Sequence, residues 1–248
     1  MKALSILSIG IILLLSCVQP KEEEKNNTDA PQKAETVKQE TLATQVPDAV
    51  DTVFTFGNCE TGKLPLNWSQ YATGRGETTE WKVVDDNGNK VLAQVSKDNP
   101  NYHFNDVVFD GIEAVNVELS VNLKGVHGKM DQGGGFIWRF TDRNNYYVVR
   151  ANPLEDNVVL YKVKDGKRTD LPIVGKGRTY GVNVKKLGNN WNTLKLIVLG
   201  DEFTVFLNGE ELFKVKDQTF TGSGKVGLWT KADAQTYFDD FHVIVLDD

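Results

Sequence analysis

Two arginines, a glutamate and an asparagine fall close together near the middle of this 248-residue chain. Arg139 and Arg150 lie in two β-prone runs, Phe136–Phe140 and Tyr146–Ala151, separated by Asp142-Arg143-Asn144-Asn145, and Glu155, Asn157 and Lys162 follow. If the two runs pair as a hairpin, alternation puts Tyr146, Val148 and Arg150 on one face and Tyr147, Val149 and Ala151 on the other. Both arginines then share a sheet face with Glu155 and Asn157 near them. Guanidinium forks grip carboxylates bidentately, so such a platform suits sugar hydroxyls or a uronate. Trp229, Lys231 and Asp233 border the same concavity in this reading, Trp229 offering an apolar face for a pyranose ring. The ligand-binding candidates are therefore Arg139, Tyr146, Arg150, Glu155, Asn157, Trp229 and Lys231. Glu155 and Asp233 are the carboxylates available for catalysis. An alternative makes Arg150–Glu155 a structural ion pair and Trp229 ordinary core.

Other chemistries find little footing. His103, His127 and His242 are scattered, and none has a second His at ligand spacing, which argues against a metal-His site or a His base. Two cysteines cannot build a disulfide framework. Gly133-Gly134-Gly135 is no phosphate loop, because no Lys-Ser/Thr follows it; it fits a tight turn or a close approach of backbone to a ligand. The chain carries 28 basic and 34 acidic residues, a net charge of −6, with the basic ones dispersed. Nucleic acid is thereby excluded as the expected partner.

The elements that must position these residues are strands. Gly numbers 22 and aromatic residues make up 10%, a balance of turns and large β-formers with no amphipathic helical stretch between them. Val115 to Lys124 alternates apolar and polar residues, giving one buried and one wetted face. Phe203–Leu207 and Glu210–Phe213 flank Asn208-Gly209, a pair that tolerates positive φ at both turn positions. Asp142–Asn145 and Asp165-Gly166 mark two further turns. More strands are expected at 53–56, 81–84, 91–96, 180–184, 194–199, 225–230 and 238–246. A dozen or so short antiparallel strands imply an all-β fold of two packed sheets, with residues 51–248 as one domain.

The first fifty residues read as an address. Met1-Lys2 precedes an apolar run, Ala3 to Leu15, too short for a membrane span of about 20 residues. Leu14-Leu15-Ser16-Cys17 resembles the lipobox of bacterial lipoproteins, which implies a signal peptide over 1–17 and lipidation of Cys17. Residues 18–50 are polar, hold Pro20, Pro31 and Pro47, and lack aromatics, the pattern of a flexible tether. The acidic run Glu22-Glu23-Glu24 resembles the surface-export tags of some lipoproteins, and reads equally as an ordinary charged tether. The expected location is the cell envelope, at the outer membrane through a lipid anchor, with surface exposure as one possibility.

Residues 51–248 carry a further resemblance. Asp131 to Phe140, Asn144 to Asn157, Gly224 to Asp233 and Tyr237-Phe238-Asp239-Asp240-Phe241 together resemble the concanavalin A-like lectin/glucanase superfamily. More narrowly, they resemble laminin-G-like jelly rolls of the 3-keto-disaccharide hydrolase, or family 16 glycoside hydrolase-like, type. The resemblance implies a two-sheet jelly roll and a carbohydrate ligand. It also implies a structural calcium held by Asp239 or Asp240, with oxygens from Gly57, Asn58 or Glu60, although two carboxylates alone do not specify the ion. The Glu-x-Asp-x-x-Glu motif of family 16 glucanases is absent: in Glu113 to Glu118 the central Asp position is Val115, and Glu118 stands as a solvated strand residue. The expected protein is a lipid-anchored glycan binder without turnover and without a required cofactor. A hydrolase acting on a sugar or 3-keto-disaccharide and a protein-binding adhesion module are the alternatives.

Overall fold

The computed structural model describes residues 13–15, 50–76 and 79–247. Cys17 and residues 18–49 of the tether lie outside them. No helix occurs among the described residues, and every element is a strand. In chain order these are β1 (Leu13–Leu15), β2 (Asp51–Phe54), β3 (Trp68–Gly74), β4 (Trp81–Asp86), β5 (Asn89–Gln94) and β6 (His103–Ala114). There follow β7 (Val117–His127), β8 (Gly134–Asp142), β9 (Asn145–Asn152), β10 (Asn157–Lys164), β11 (Lys167–Asp170) and β12 (Val182–Asn183). The last are β13 (Asn192–Leu199), β14 (Glu202–Leu207), β15 (Glu210–Lys216), β16 (Gly224–Lys231) and β17 (Gln235–Val245).

They form two sheets. The first runs β1-β2-β17-β7-β13-β14-β15, with the β4–β5 hairpin attached through β5 to β17. The second runs β11-β10-β9-β8-β16-β6-β3, with β12 against β10. The β1–β2 pair is parallel and the other strand pairs are antiparallel. This is the expected two-sheet jelly roll. Its core is the slab between the sheets, where Phe54 packs on Phe109, Trp68 and Phe241 at ring-centroid distances of 4.5, 5.3 and 5.8 Å. Cys59 is buried in the same slab.

Alternation in β7 is as the sequence dictates: Val117, Leu119, Val121 and Leu123 are buried, while Glu118 on the wet face pairs with Lys195 at 2.7 Å. The Asn208-Gly209, Asp142–Asn145 and Asp165-Gly166 turns all join paired strands. Sequence periodicity missed β3 and β6. In β6, Val107, Val108 and Phe109 are consecutive and buried, because this strand lies inside the sheet with apolar clusters against both faces. A doubly buried strand has no period to read.

The second sheet therefore has two apolar faces. One belongs to the inter-sheet core. The other, turned away from the first sheet, carries its own cluster of Phe104, Val108, Ile137, Phe140, Tyr146 and Trp229, continued by Tyr161.

Candidate functional site

Strand register builds one row across that outer face. Asp106 stands opposite Trp229, Trp229 opposite Gly135, Gly135 opposite Arg150, and Arg150 opposite Val159. Gly135 leaves the middle of the row without a side chain. A Cβ there would come within 1.9 Å of the Val149 carbonyl oxygen, so the strands can pair this closely only around a glycine. The glycine run thus serves close backbone approach rather than a phosphate.

Arg150 is 2% exposed, and both of its terminal nitrogens are partnered. It donates to Glu155 Oε2 at 2.6 Å, to the Tyr161 hydroxyl at 3.2 Å, to the Asn157 carbonyl at 3.3 Å, and to Asn157 Oδ1. The β9–β10 turn makes this possible, since Asn152 pairs with Asn157 and the intervening residues swing Glu155 back over the strand ends. Burial alone would raise the Glu155 carboxyl, but the Arg150 guanidinium, with help from Asn157 and Lys231, outweighs it and holds Glu155 below its ordinary range. Burial likewise weakens the hold of Arg150 on its charge, and Tyr161, Glu155 and Asp131 more than reverse that, so the cation is held more firmly than in water. Tyr161 is pushed upward, chiefly by burial, and stays a neutral phenol.

Lys231, at the end of β16, pairs with Asp131 at 3.2 Å. Asp131 also accepts from the Asn152 amide at 3.2 Å, which ties this pair to the Arg150 corner. Arg168 reaches in from β11. Its guanidinium lies 4.3 Å from the Tyr161 ring centroid, 5.0 Å from Phe104 and 5.6 Å from Trp229. Tyr102 accepts from the Arg168 backbone N–H at 2.9 Å and so pins β11 over the cluster. Tyr180 is 46% exposed and meets Tyr161 edge to face at 6.0 Å.

The residues expected from sequence separate into groups. Arg150, Glu155, Asn157 and Lys231 come together as anticipated. Trp229 faces the same side but is wholly buried beneath Arg168 and Phe104, so it supports the surface without presenting a ring to solvent. Tyr146 is also wholly buried, within a network with Thr73 and Asp106.

Arg139 does not join them, and the expectation that both arginines share a face is corrected. Arg139 has φ +48° in a β-bulge between Trp138 and Asp142, which breaks the alternation and turns its side chain toward Phe203 in the main core. There it donates to the carbonyls of Val115 (3.0 Å), Phe220 (2.6 Å) and Gly200 (2.5 Å).

Asp233 is a turn clamp. Its carboxylate accepts from the backbone N–H groups of Lys129, Met130 and Asp131, the shortest at 2.7 Å. Burial opposes its ionisation, and those N–H groups together bring its proton affinity below the ordinary carboxylate range. Asp239 accepts from the Asn89 amide at 2.8 Å and Asp240 from the Asn122 amide at 3.0 Å. Among the described residues, no group of three or more His, Cys, Asp or Glu side chains is placed to hold a metal. His103 is buried against the Arg75 carbonyl and Asn105, and His242 meets Asp51 at 2.5 Å.

Sequence reading missed Asp131, Tyr161, Arg168 and Tyr180. The Asp165-Gly166 turn held a signal for Arg168, because a strand continuing past it sets Arg168 opposite Val163 on the outer face.

Residues 59–244 match the model of the 3-keto-alpha-glucoside-1,2-lyase-like domain. No curated protein matches the chain. Among solved structures, the carbohydrate-binding module CBM66 from Bacillus subtilis superposes with a TM-score of 0.54 at 18% identity, over 72% of this chain and 95% of that one. Domain 4 of AbnA, a GH43 extracellular arabinanase from Geobacillus stearothermophilus solved with arabinotriose, gives 0.50 at 16% identity, over 79% and 93%. At such identities the likeness is one of fold.

Proposed function

Because the chain belongs to the 3-keto-alpha-glucoside-1,2-lyase-like domain family, a group of sugar-related jelly rolls, we propose that its outer-sheet platform binds carbohydrate without turning it over. The observation that carries this reading is the Arg150 corner. A buried cation fixes Glu155 with its side chain 44% exposed, and the open Tyr180 ring joins the same corner through Tyr161. Rigid acceptors and donors next to an exposed aromatic are what a pyranose needs, hydroxyls bonding at the edge and the apolar face stacking. The arabinotriose bound by the AbnA domain, on the same fold, supports the ligand class.

The carboxylates favour binding over hydrolysis. Glycoside hydrolysis takes a protonated acid and a second carboxylate on opposite sides of the scissile bond. Here Glu155 is clamped ionised by Arg150, Asp131 is paired with Lys231, and Asp233 is engaged by backbone. We further propose that lipidation of Cys17 anchors the protein in the cell envelope, the polar stretch after it serving as tether.

A second reading rests on the family and on Glu155 itself. In a 3-keto-α-glucoside the ketone acidifies the C2 proton. A base that takes it allows the C1–oxygen bond to break and a C1=C2 bond to form, and the proton then passes to the leaving oxygen. The ionised, half-exposed Glu155 is the platform's candidate for that base.

One experiment separates these. The full-length chain is screened on a glycan array, and hits are followed by affinity and product analysis. Tyr180→Ala is expected to weaken binding about 3- to 10-fold, the worth of one aromatic contact, with the cooperative thermal unfolding transition retained. Unaltered affinity in both Tyr180→Ala and Glu155→Gln would move the site elsewhere. Turnover of a 3-keto-α-glucoside that disappears in Glu155→Gln while affinity persists would establish the lyase reading.

A further inference from the structure

The platform's charges are nearly all spoken for. Glu155 pairs with Arg150, Asp131 with Lys231, and Asp170, on the same strand as Arg168, with Arg178 at 2.7 Å. Arg168 differs. Among the described residues its guanidinium makes no ion pair and no hydrogen bond; only its backbone N–H is used, by Tyr102. It is half-buried, lies over Tyr161, Phe104 and Trp229, and adjoins the Arg150–Glu155 corner through Tyr161.

A guanidinium stacked on aromatic rings keeps its planar N–H edge directed away from them, free to grip a planar anion with two parallel bonds. Arg168 is not among the residues with a buried, unpartnered nitrogen, so that edge is open to solvent and to a ligand. A carboxylate matches the fork in charge, plane and spacing.

Building on the carbohydrate reading above, we propose that the ligand is an acidic sugar, and that Arg168 takes the carboxylate of a uronic acid while the Glu155 side of the platform takes its hydroxyls. Arg150, the residue whose type first suggested a uronate, is occupied internally by Glu155, Asn157 and Tyr161, and its role is to hold Glu155 and Tyr161 in place.

The test uses the full-length chain on an array that carries uronate-containing oligosaccharides, the same oligosaccharides with carboxyls reduced to alcohols, and sulfated neutral ones. Wild type is expected to bind the uronates and to lose at least about tenfold on carboxyl reduction, the lower end for a charge-assisted hydrogen bond. Arg168→Gln is expected to reproduce that loss, and Arg168→Lys, which keeps charge but not the fork, to fall between. Should Arg168→Gln fail to fold, the carboxyl-reduced pairs on wild type decide alone. Equal binding of uronate and reduced partner overturns the acidic-sugar inference and leaves the carbohydrate reading standing. Preference for sulfated glycans over uronates also overturns it. Binding to no glycan on the array overturns both.

Discussion

The Thr73 hydroxyl oxygen lies 2.7 Å from Asp106 Oδ2, and both groups are wholly buried. Thr73 has one proton, and its hydroxyl also meets the Arg143 carbonyl, which can only accept. If Thr73 donates to Arg143, the contact with Asp106 is satisfied by a proton on the carboxyl. Tyr146 completes the set, its hydroxyl 3.1 Å from Thr73 and 3.3 Å from Asp106. Burial raises the Asp106 carboxyl well above its ordinary value, against the smaller opposing pull of Thr73 and Tyr146.

That shift has a sign. The folded state keeps a proton on Asp106 that the unfolded chain releases near its ordinary carboxylate value. Stability linked to this group is therefore full at acid pH, and it declines as pH rises above the unfolded value until the raised folded one is passed. Asp106→Asn mimics the neutral acid and is expected to flatten this decline. The check is urea denaturation of both proteins from pH 4 upward. Parallel pH profiles in the two would show that Asp106 is ionised in the fold.

Arg139 is expected to matter for stability and not for binding. Its replacement by Ala removes charged-donor hydrogen bonds to the part-buried carbonyls of Val115, Gly200 and Phe220 and should cost about 1.5–3 kcal/mol. Affinity for any glycan hit should be retained below the melting transition, because the bulge turns this side chain away from the platform. Selective loss of affinity with normal stability would return Arg139 to the site.

Anchoring can be read by phase partition. The wild-type protein is expected in the detergent phase, and Cys17→Ser in the aqueous phase or as a longer, unprocessed precursor. Processing at Cys17 would also remove β1, leaving β2 as a sheet edge of four residues, a length that discourages pairing with another chain. A processed Cys17→Ser protein still held in the membrane would overturn the anchor.

The Asp239 and Asp240 carboxylates already accept from Asn89 and Asn122. If either of them holds a structural calcium, the melting temperature of the calcium-loaded protein is expected to fall in excess chelator, and Asp239→Asn or Asp240→Asn should abolish that fall. An unchanged melting curve would overturn the site.

Much of this architecture was legible. The strict alternation of β7 and the Asn208-Gly209 hairpin declare themselves because one wet face and one tight turn leave local marks. Arg150, Glu155 and Asn157 could be grouped for the same reason, since only a short turn separates them. Arg139 could not be placed, because one residue at φ +48° reverses every inference from alternation. The burial of Trp229 was hidden too: the cover comes from Arg168 and from Phe104 beside Tyr102, segments remote in sequence. Asp106 escaped notice because β6, apolar on both sides, offers no rhythm against which a buried acid stands out.

The Arg139 clamp also bears on how this scaffold can vary. Its acceptors are main-chain oxygens in three separate connections, so it is indifferent to the side chain at 115, whereas the Phe220 ring packs on Tyr147 at 5.1 Å and helps to place its own carbonyl. Gly200, at φ +56°, also limits the choice of residue there. A library that randomises Val115 while keeping Phe220 and the loop lengths should retain the clamp, whereas inserting or deleting a single residue in any of the three connections should break it. The end of the jelly roll at Arg139 is thus tolerant of spelling at 115 and intolerant of length, a property that suits that connection to grafting new sequence away from the platform.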